Sequence, residues 1–381
     1  RRKPSWPYSS WMKNKLGIYI HVPFCAAKCS YCDFYSLSGK LEQCDAYVER
    51  LLTELVQQSS ACQDYTVDTV YFGGGTPSLL GGARIARIVD TIRAHYALEP
   101  DAELTAEANP DSMTDDFLTI SRAAGVNRLS MGIQSANDRE LHAIGRIHTF
   151  AQAQDAFFRA RRAGFTNLSV DLMYALPGQS MEQLCASLDA LLDLQPEHLS
   201  CYGLTLEAHT PLGRQHPVLP DEDTQADMYL AVCDRMRHAG FEHYEISNFA
   251  KPGFASRHNS RYWKQSPYLG FGPGAHGDFA GQRYEIPRDL SAWLRGEAQP
   301  KREDEHEIDR AAEYVMLSLR TSAGFDAEFY TKQFSADPAP VERALSRLPK
   351  QYVHHTGSRW SLTEDGFLIS NAVIVSVLEE I

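Results

Sequence analysis

Short apolar runs alternate with amphipathic stretches of helical period along the first two thirds of the chain. Strand-like runs lie at residues 16–22, 68–73, 103–108, 128–134, 167–174 and 198–206, and helix-like stretches follow them at 44–59, 82–96, 114–124, 150–163, 181–194 and 223–238. Strands that alternate with helices form parallel βαβ units, so the pattern predicts six units in an open sheet or a barrel. A seventh run at 243–249 is expected to pair at the sheet edge.

The pattern changes after about residue 250. Residues 251–283 are rich in glycine, proline, aromatic residues and histidine without clear periodicity, and we expect ordered loops packed against the βα core. Beyond residue 311, helix-like stretches and two short strand-like pieces predict a mostly helical, winged-helix-like domain. The sequence therefore divides into an N-terminal tail at 1–17, the βα core at 18–250, a loop-rich extension at 251–300 and a C-terminal domain at 301–381.

Composition and charge exclude several classes of protein. The 381-residue chain carries a formal charge of −12, and its last eighty residues hold eight basic against fourteen acidic side chains, which argues against nucleic acid as a partner. Eight irregularly spaced cysteines are typical of a reducing compartment, so we expect a cytoplasmic protein. Neither a signal-peptide core in residues 1–15 nor an apolar run of about 18 residues occurs in the sequence.

Three cysteines follow the first predicted strand within eight residues. Cys25, Cys29 and Cys32 have the spacing C-x3-C-x2-C, and the next cysteine, Cys44, falls in a predicted helix. A [4Fe–4S] cluster usually takes four thiolates, so three ligands leave one iron open to a substrate's amine and carboxylate. The alternatives are a zinc site, for which a fourth ligand is missing nearby, and three unrelated buried thiols.

Polar residues lie where successive predicted strands end. The second strand ends in a run of three glycines and Thr76, the third near Glu107, the fourth at Gln134, and the fifth contains Asp171. Functional groups of parallel barrels gather at the carboxyl ends of strands, so these residues and the cysteines are expected to share one site. Glycines would let the backbone approach a ligand and expose N–H groups to a carboxylate.

The motif around Cys25, Cys29, Tyr31 and Cys32 resembles the signature of the radical S-adenosylmethionine (SAM) superfamily. The resemblance covers roughly residues 19–263 and implies a partial (β/α)6 barrel and a [4Fe–4S] cluster whose electron splits SAM into methionine and a 5′-deoxyadenosyl radical. In the coproporphyrinogen-oxidase-like branch, the matching SAM-binding positions are Tyr19, Tyr31, Gly74, Gly75, Thr76, Glu107, Gln134, Arg146 and Asp171, the last three in the pocket for a second SAM molecule. Core packing for the tyrosines and salt bridges for the carboxylates are the structural alternatives.

Two departures separate the chain from the oxygen-independent coproporphyrinogen III oxidases of this branch. Phe34 stands where the oxidase has a fourth cysteine, and few residues precede the first strand here. The motif His258-Asn259-x-x-Tyr262-Trp263 instead resembles the HemW haem-chaperone family, which implies haem binding and delivery to apo-haemoproteins such as respiratory enzymes. The same resemblance leads us to expect peripheral membrane contact and a homodimer. Oxidative decarboxylation of coproporphyrinogen III is the alternative function.

The residues of this motif suit haem on chemical grounds. A neutral imidazole such as that of His258 is a common axial ligand of haem iron, and Asn259 could orient it. Tyr262 and Trp263 offer flat apolar surface to a macrocycle. The competing interpretation is an ordered loop in which His258 is hydrogen-bonded and the aromatic side chains are buried.

Overall fold

The computed structural model describes residues 15–304 and 308–381, and its core is a run of six parallel strands in sequential order. Apart from residues 15–17, the predicted tail lies outside the described residues. The strands are β1 (Lys15–Val22), β2 (Thr66–Gly74), β3 (Ala97–Ala108), β4 (Arg128–Gln134), β5 (Leu168–Tyr174) and β6 (His198–Gly203). Each pairs in parallel with the next, which confirms the predicted βα architecture.

Helices connect these strands and cover the sheet. They are α1 (Cys44–Ser59), α2 (Gly82–His95), α3 (Asp115–Ala124), α4 (Asp138–Ala143), α5 (Phe150–Arg162), α6 (Met181–Leu192), α7 (Pro211–Arg214) and α8 (Glu222–His238). Every residue of β4 is buried, as expected for a strand covered on both faces. The capping boxes Thr149–Gln152 and Ser180–Gln183 fix where α5 and α6 begin.

Part of the stretch at residues 251–283, predicted as ordered loops packed against the βα core, instead forms strands that extend the sheet beyond β1. Strand β9 (Tyr268–Phe271) pairs in parallel with β1, and β10 (His276–Phe279), β11 (Gln282–Glu285) and β12 (Lys301–Arg302) continue outward in antiparallel order. Two short helices belong to the same part of the chain: α9 (Asn259–Trp263) precedes β9, and α10 (Leu290–Leu294) lies between β11 and β12 in the sequence. The loop prediction was wrong because strands of two to four residues carry too little periodicity to be recognised without their pairing partners.

The opposite edge of the sheet carries the predicted seventh run, divided into two strands. Strand β8 (Asn248–Ala250) pairs antiparallel with β6, and β7 (Glu242–Glu245) lies outside it. The prediction of edge pairing at 243–249 is confirmed, although a tight reversal between residues 245 and 248 replaces one continuous strand. Within the described residues, the whole sheet contains twelve strands.

The C-terminal domain is mostly helical with a small sheet, as predicted. Its helices are α11 (Arg310–Ser318), α12 (Ala327–Phe334), α13 (Ala339–Ser346), α14 (Glu364–Leu368) and α15 (Ser370–Leu378). The sheet consists of β13 (Phe325–Asp326), β14 (Val353–Thr356) and β15 (Arg359–Leu362). Helices α14 and α15 are separate, since the backbone at Ile369, between them, leaves the helical region. In the part of the chain described, no helix has the length and apolar character needed to cross a membrane.

Candidate functional site

A cavity of about 340 Å³ opens at the carboxyl ends of the parallel strands. Its walls contain nearly all of the predicted cluster and SAM residues, namely Cys25, Cys29, Cys32, Tyr31, Gly74, Gly75, Thr76, Glu107, Gln134, Arg146 and Asp171. A cavity of about 400 Å³ between α1 and β11 contains none of them. The structure therefore brings together residues that are spread over almost 150 positions in the sequence.

The three cysteines form one wall of this cavity. All three thiols are free, and the amide of Cys32 donates a hydrogen bond to the carbonyl of Cys29 (3.2 Å), which closes a turn between them. The Thr76 hydroxyl donates to Cys25 Sγ (3.5 Å), and Arg146 donates to Cys29 Sγ (3.4 Å). Burial raises the pKa of the Cys32 thiol, so binding of a metal there releases its proton.

This donor set fits an iron–sulfur cluster with an open iron. Three thiols face a single cavity, which is the ligand number that leaves one cluster iron without a protein sulfur. Among residues 15–304 and 308–381, no other cysteine contributes to the cavity walls. The arginine and hydroxyl that donate to the sulfurs would stabilise thiolates, as is common around such clusters.

The glycine-rich loop supports the cysteine loop instead of presenting free N–H groups. The amides of Gly75 and Thr76 donate to the carbonyls of Val22 (2.8 Å) and Phe24 (2.7 Å), and the amide of Gly74 donates to Glu107 (3.2 Å). A Cβ atom at Gly75 would lie 2.6 Å from the Phe24 carbonyl oxygen. The glycine is therefore required for close contact with the cysteine loop, and the expected N–H donors to a ligand carboxylate are already bonded.

Two carboxyl groups, those of Glu107 and Asp171, also line the cavity. Burial raises the pKa of Glu107 to about 7, although its carboxyl accepts hydrogen bonds from the Tyr71 hydroxyl (2.8 Å) and from a backbone amide. Burial likewise raises the pKa of Asp171 to about 6, and Ser130 donates to this carboxyl (3.3 Å). Near neutral pH the Glu107 carboxyl can therefore be protonated or ionised, so it can donate to a ligand or accept from it.

Arg146 links the carboxyl ends of several strands. Its guanidinium donates to Asn109 Oδ1 (2.8 Å) and to the carbonyl of Gly132, in addition to Cys29. Asn109 in turn donates to the Thr76 hydroxyl (3.1 Å), so it belongs to the site although it was not among the predicted SAM-binding residues. Its position directly after the third strand, two residues beyond Glu107, was the signal for it. Gln134 has a φ of 76°, in the left-handed region that few non-glycine residues adopt.

The two predicted tyrosines occupy different places. Tyr31 lines the cavity, and burial raises the pKa of its hydroxyl above the usual range. Tyr19 does not line the cavity: its hydroxyl contacts His21 Nδ1 (3.1 Å), and its ring stacks on Tyr71 and His258 inside the barrel. The structure therefore places Tyr19 in an aromatic layer behind the cavity wall.

The predicted haem residues lie toward the opposite, amino-terminal half of the strands. His258 is fully buried, and its Nδ1 and Nε2 contact the hydroxyls of Thr69 (2.9 Å) and Tyr262 (2.9 Å). Thr69 precedes Gly74 by five residues in β2, a separation of roughly 16 Å along a strand. Burial lowers the pKa of His258 to about 3, so the imidazole is neutral. Asn259, Tyr262 and Trp263 lie on α9 and are partly buried.

Helix α9 is tightly anchored to the strands. The backbone amides of Arg257 and His258 donate to the two carboxylate oxygens of Glu103 (3.0 Å each). Arg261 is buried and bonded to Asp68 and to the Thr69 hydroxyl (3.0 Å). A cleft of about 320 Å³ opens beside the helix and is lined by Lys15, Asp68, Ala255, Arg257, Ser260, Arg261, Lys264, Ser266 and Pro267. Its excess of basic side chains suits an anionic group.

Similarity to known proteins agrees with this geometry. Residues 19–191 match the model of the radical SAM superfamily, and residues 306–369 match the HemN C-terminal domain. The chain is 36% identical to the haem chaperone HemW of Lactococcus lactis, over 94% of this chain and 96% of that protein. Identity to the haem chaperone HemW of Escherichia coli is 35%, over 96% and 98% of the two chains. The chain belongs to the HemW family.

The fold of this HemW-family chain also resembles that of an enzyme. Coproporphyrinogen III oxidase (HemN) from Escherichia coli, a radical SAM enzyme, superposes with a TM-score of 0.83 over 97% of this chain and 91% of that chain. The sequence identity is 22%, so this likeness shows a shared fold. It confirms the predicted radical SAM barrel with an added C-terminal domain.

Proposed function

We propose that this HemW-family protein is a haem chaperone that binds haem and delivers it to apo-haemoproteins such as respiratory enzymes. It would also hold a [4Fe–4S] cluster on Cys25, Cys29 and Cys32 and bind SAM in the adjoining cavity. The observation that carries the cofactor part is that three free thiols and the polar strand ends face one cavity. The haem part is supported by the haem chaperones to which the chain is similar.

In this proposal, some residues of the cavity hold the cluster cysteines and others contact SAM. The cluster, when bound, supplies an open iron and one-electron chemistry. Thr76 and Arg146 donate to the cluster cysteines and hold them in place. Glu107 and Asp171 offer carboxyl oxygens to the amine, sulfonium or ribose of SAM, and their mutual repulsion is partly offset by Arg128.

Haem binding by His258 requires a rearrangement of α9. The imidazole has no exposed surface and both of its nitrogens are engaged, so iron ligation would replace the bond to Tyr262. Asn259, Tyr262 and Trp263 would move with the helix and contact the macrocycle. The basic cleft beside the helix would receive the haem propionates through Arg257 and Lys264.

The proposal favours a chaperone over the oxidase of the same fold. Phe34, at the position of the fourth cysteine of the oxidases, is 68% exposed at the rim of the cavity and supplies no sulfur. We further propose a cytoplasmic protein that contacts its recipients at the membrane surface and forms a homodimer. Delivery to membrane-bound enzymes needs such peripheral contact without insertion.

Anaerobic reconstitution tests the proposal. The full chain should take up about four iron and four sulfide, and Cys25→Ala should lose them. Reconstituted protein should bind haem, transfer it to an apo-haemoprotein, and leave coproporphyrinogen III unchanged in the presence of SAM and reductant. Formation of protoporphyrinogen would establish the oxidase instead, and failure to transfer haem would contradict the chaperone function.

A further inference from the structure

A second group of metal-ligating side chains lies at the junction between the barrel and the C-terminal domain. One ligand atom each from Cys233, His243 and Glu364 lies within 4.8 Å of the others. A cleft of about 480 Å³ begins at this group, and Arg237, His354 and Asp365 are among its other lining residues. This group is separate from the cluster loop and from α9, and neither the SAM cavity nor the basic cleft includes any of its members.

The three ligands come from rigid elements of two domains. Cys233 lies on α8 and His243 on β7 of the barrel, whereas Glu364 begins α14 of the C-terminal domain. The separation between Cys233 Sγ and His243 Nδ1 is 3.9 Å. Ligand atoms around tetrahedral zinc lie roughly 3.5 Å apart, since the bonds to sulfur and nitrogen are about 2.3 and 2.0 Å long. Side-chain adjustments alone can therefore close the group around one ion.

The surroundings of His243 resemble those of a metal ligand. Its Nε2 donates to the carbonyl of Ile246 (3.4 Å), which leaves the lone pair of Nδ1 directed toward Cys233. The ring stacks on Phe249 at 4.2 Å between centroids and meets the edge of Phe367 at 5.2 Å. The imidazole is thus fixed in both tautomer and orientation, as is common for histidines that bind metals.

Burial favours metal binding over nucleophilic catalysis for this group. Cys233 is only 1% exposed, so its thiol cannot reach a substrate from solvent as a catalytic nucleophile must. A divalent ion would displace the thiol proton to solvent and form a metal–thiolate bond, with no change of oxidation state.

We propose that Cys233, His243 and Glu364 bind a divalent transition-metal ion of the zinc class, which fastens the C-terminal domain to the barrel. Thiolate, imidazole and carboxylate are the ligands that zinc prefers, and three of them leave a fourth position open. His243 and Glu364 also line the cleft, from which a water molecule can reach that position. Arg237 pairs with Glu364 and holds the carboxylate toward the barrel. The inference is independent of the [4Fe–4S] cluster and of haem.

Cobalt(II) titration tests this site because tetrahedral cobalt–thiolate coordination has a characteristic absorption. The full chain carrying Cys25→Ala, Cys29→Ala and Cys32→Ala removes the competing thiols of the cluster loop. In this background we expect one equivalent of Co²⁺ to give a thiolate-to-cobalt charge-transfer band and tetrahedral d–d bands, and Zn²⁺ to abolish both. The bound ion should also raise the unfolding temperature of the C-terminal domain.

Single substitutions assign the signal to these ligands. Cys233→Ser should remove the charge-transfer band, and Glu364→Gln, at a partly exposed position, should weaken Co²⁺ binding at least about tenfold. Cys62→Ser, a change at another buried thiol, should leave the spectrum unchanged. The proposal is overturned if the triple variant shows no charge-transfer band, or if the band persists in Cys233→Ser. If Cys233→Ser fails to fold, the test is Glu364→Gln, and an unchanged affinity of that variant for Co²⁺ overturns the proposal.

Discussion

Two buried histidines in the barrel have nearly the same surroundings. His258 contacts the hydroxyls of Thr69 and Tyr262, and His198 contacts those of Ser169 (2.7 Å) and Tyr244 (2.8 Å). Burial lowers the pKa of both, so both are neutral. Because their contacts match, His198 shows what a purely structural histidine does at such a place.

Replacement of each histidine separates a haem role from a structural one. His258→Ala and His198→Ala should cost similar stability, since each removes the imidazole that contacts two hydroxyl groups inside the barrel. If His258 binds haem iron, only His258→Ala should also weaken haem binding, by at least about tenfold, while the iron and sulfide content stays unchanged. Equal haem titrations for both variants would remove His258 from the haem site. The measurements are haem absorption titration and denaturant unfolding.

Glu107 makes the stability of the cluster-free protein depend on pH. Its folded-state pKa of about 7 lies above the ordinary value of 4.5, so the folded protein holds this proton more tightly than the unfolded chain. The resulting stabilisation is complete below about pH 4.5 and is lost as pH rises through 7, with a magnitude of up to about 3 kcal/mol. Glu107→Gln should therefore flatten the decrease in unfolding free energy between pH 5 and 8.

Denaturant unfolding at several pH values measures this effect. Asp171, whose pKa is raised to about 6, contributes in the same direction and remains in the variant, so a smaller slope should persist. Glu182→Gln serves as the control, because this exposed carboxyl is ionised in both states over the range. An unchanged slope in Glu107→Gln would show that the carboxyl is solvated and not buried as described here.

The spacing of residues in the sequence was enough to predict some site residues, but not others. Cys25, Cys29 and Cys32 could be placed together from their spacing, and Glu107 and Asp171 from their positions at strand ends. A hydrogen-bonded His258 was one of two interpretations of its motif, but its partner Thr69 lies 189 positions away and could not be identified from the sequence. Arg128 was missed for the same reason. Its side chain is buried inside the barrel, and its Nε and one Nη lack hydrogen-bond partners within the described residues.

At the scale of elements, the loop after β2 and the loop after β1 form one unit. The carbonyls of Val22 and Phe24 accept hydrogen bonds from Gly75 and Thr76, and a Cβ at Gly75 would meet both carbonyl oxygens, at 2.8 and 2.6 Å. These acceptors are backbone atoms and cannot rotate away. The position of the cysteines therefore depends directly on the absence of a side chain at residue 75.

Gly75→Val should displace the cysteine loop. We expect lower iron uptake on reconstitution and SAM affinity reduced at least about tenfold, because the added carbons force Phe24 and Cys25 out of place. Ala26→Val adds a β-branched side chain to the same loop at an exposed position and should leave both quantities nearly unchanged. Iron analysis and calorimetry measure them, and normal iron uptake in Gly75→Val would contradict the coupling.

Elements with a complete local pattern were predictable, and elements without one were not. Helix α1 and strand β4 have the predicted bounds, because each shows a full helical or buried-strand pattern. Strands β9 to β12 have only two to four residues, and each is defined by its pairing with a neighbouring strand. Strand β9, for example, pairs with Gly17 to Ile20 of β1. No local pattern could have indicated that residues 268–271 lie beside the first strand.

At the scale of the whole molecule, the C-terminal domain covers one edge of the twelve-stranded sheet. The amide of Ile246 donates to the carbonyl of Arg320 (3.0 Å), and the amide of Ser322 donates to the carbonyl of Tyr244 (3.1 Å). Glu245 and Thr321 form a β-bridge between the two domains. Exposed strand edges favour aggregation, so this contact both protects β7 and fixes the domain that supplies Glu364 to the proposed metal site.

Ser322→Pro should loosen this contact because proline lacks the N–H that bonds to Tyr244. Loss of one such bond is worth about 1 kcal/mol, so amides of the C-terminal domain should exchange with solvent about fivefold faster while those of β4 stay unchanged. Ser322→Ala keeps the N–H and loses the hydroxyl that donates to the same carbonyl (3.2 Å), and it isolates the backbone contribution. If the amide exchange rates of the two variants are equal, the backbone bond does not hold the domain in place. Side-chain contacts such as the ion pair of Arg237 with Glu364 would then hold the C-terminal domain against the barrel.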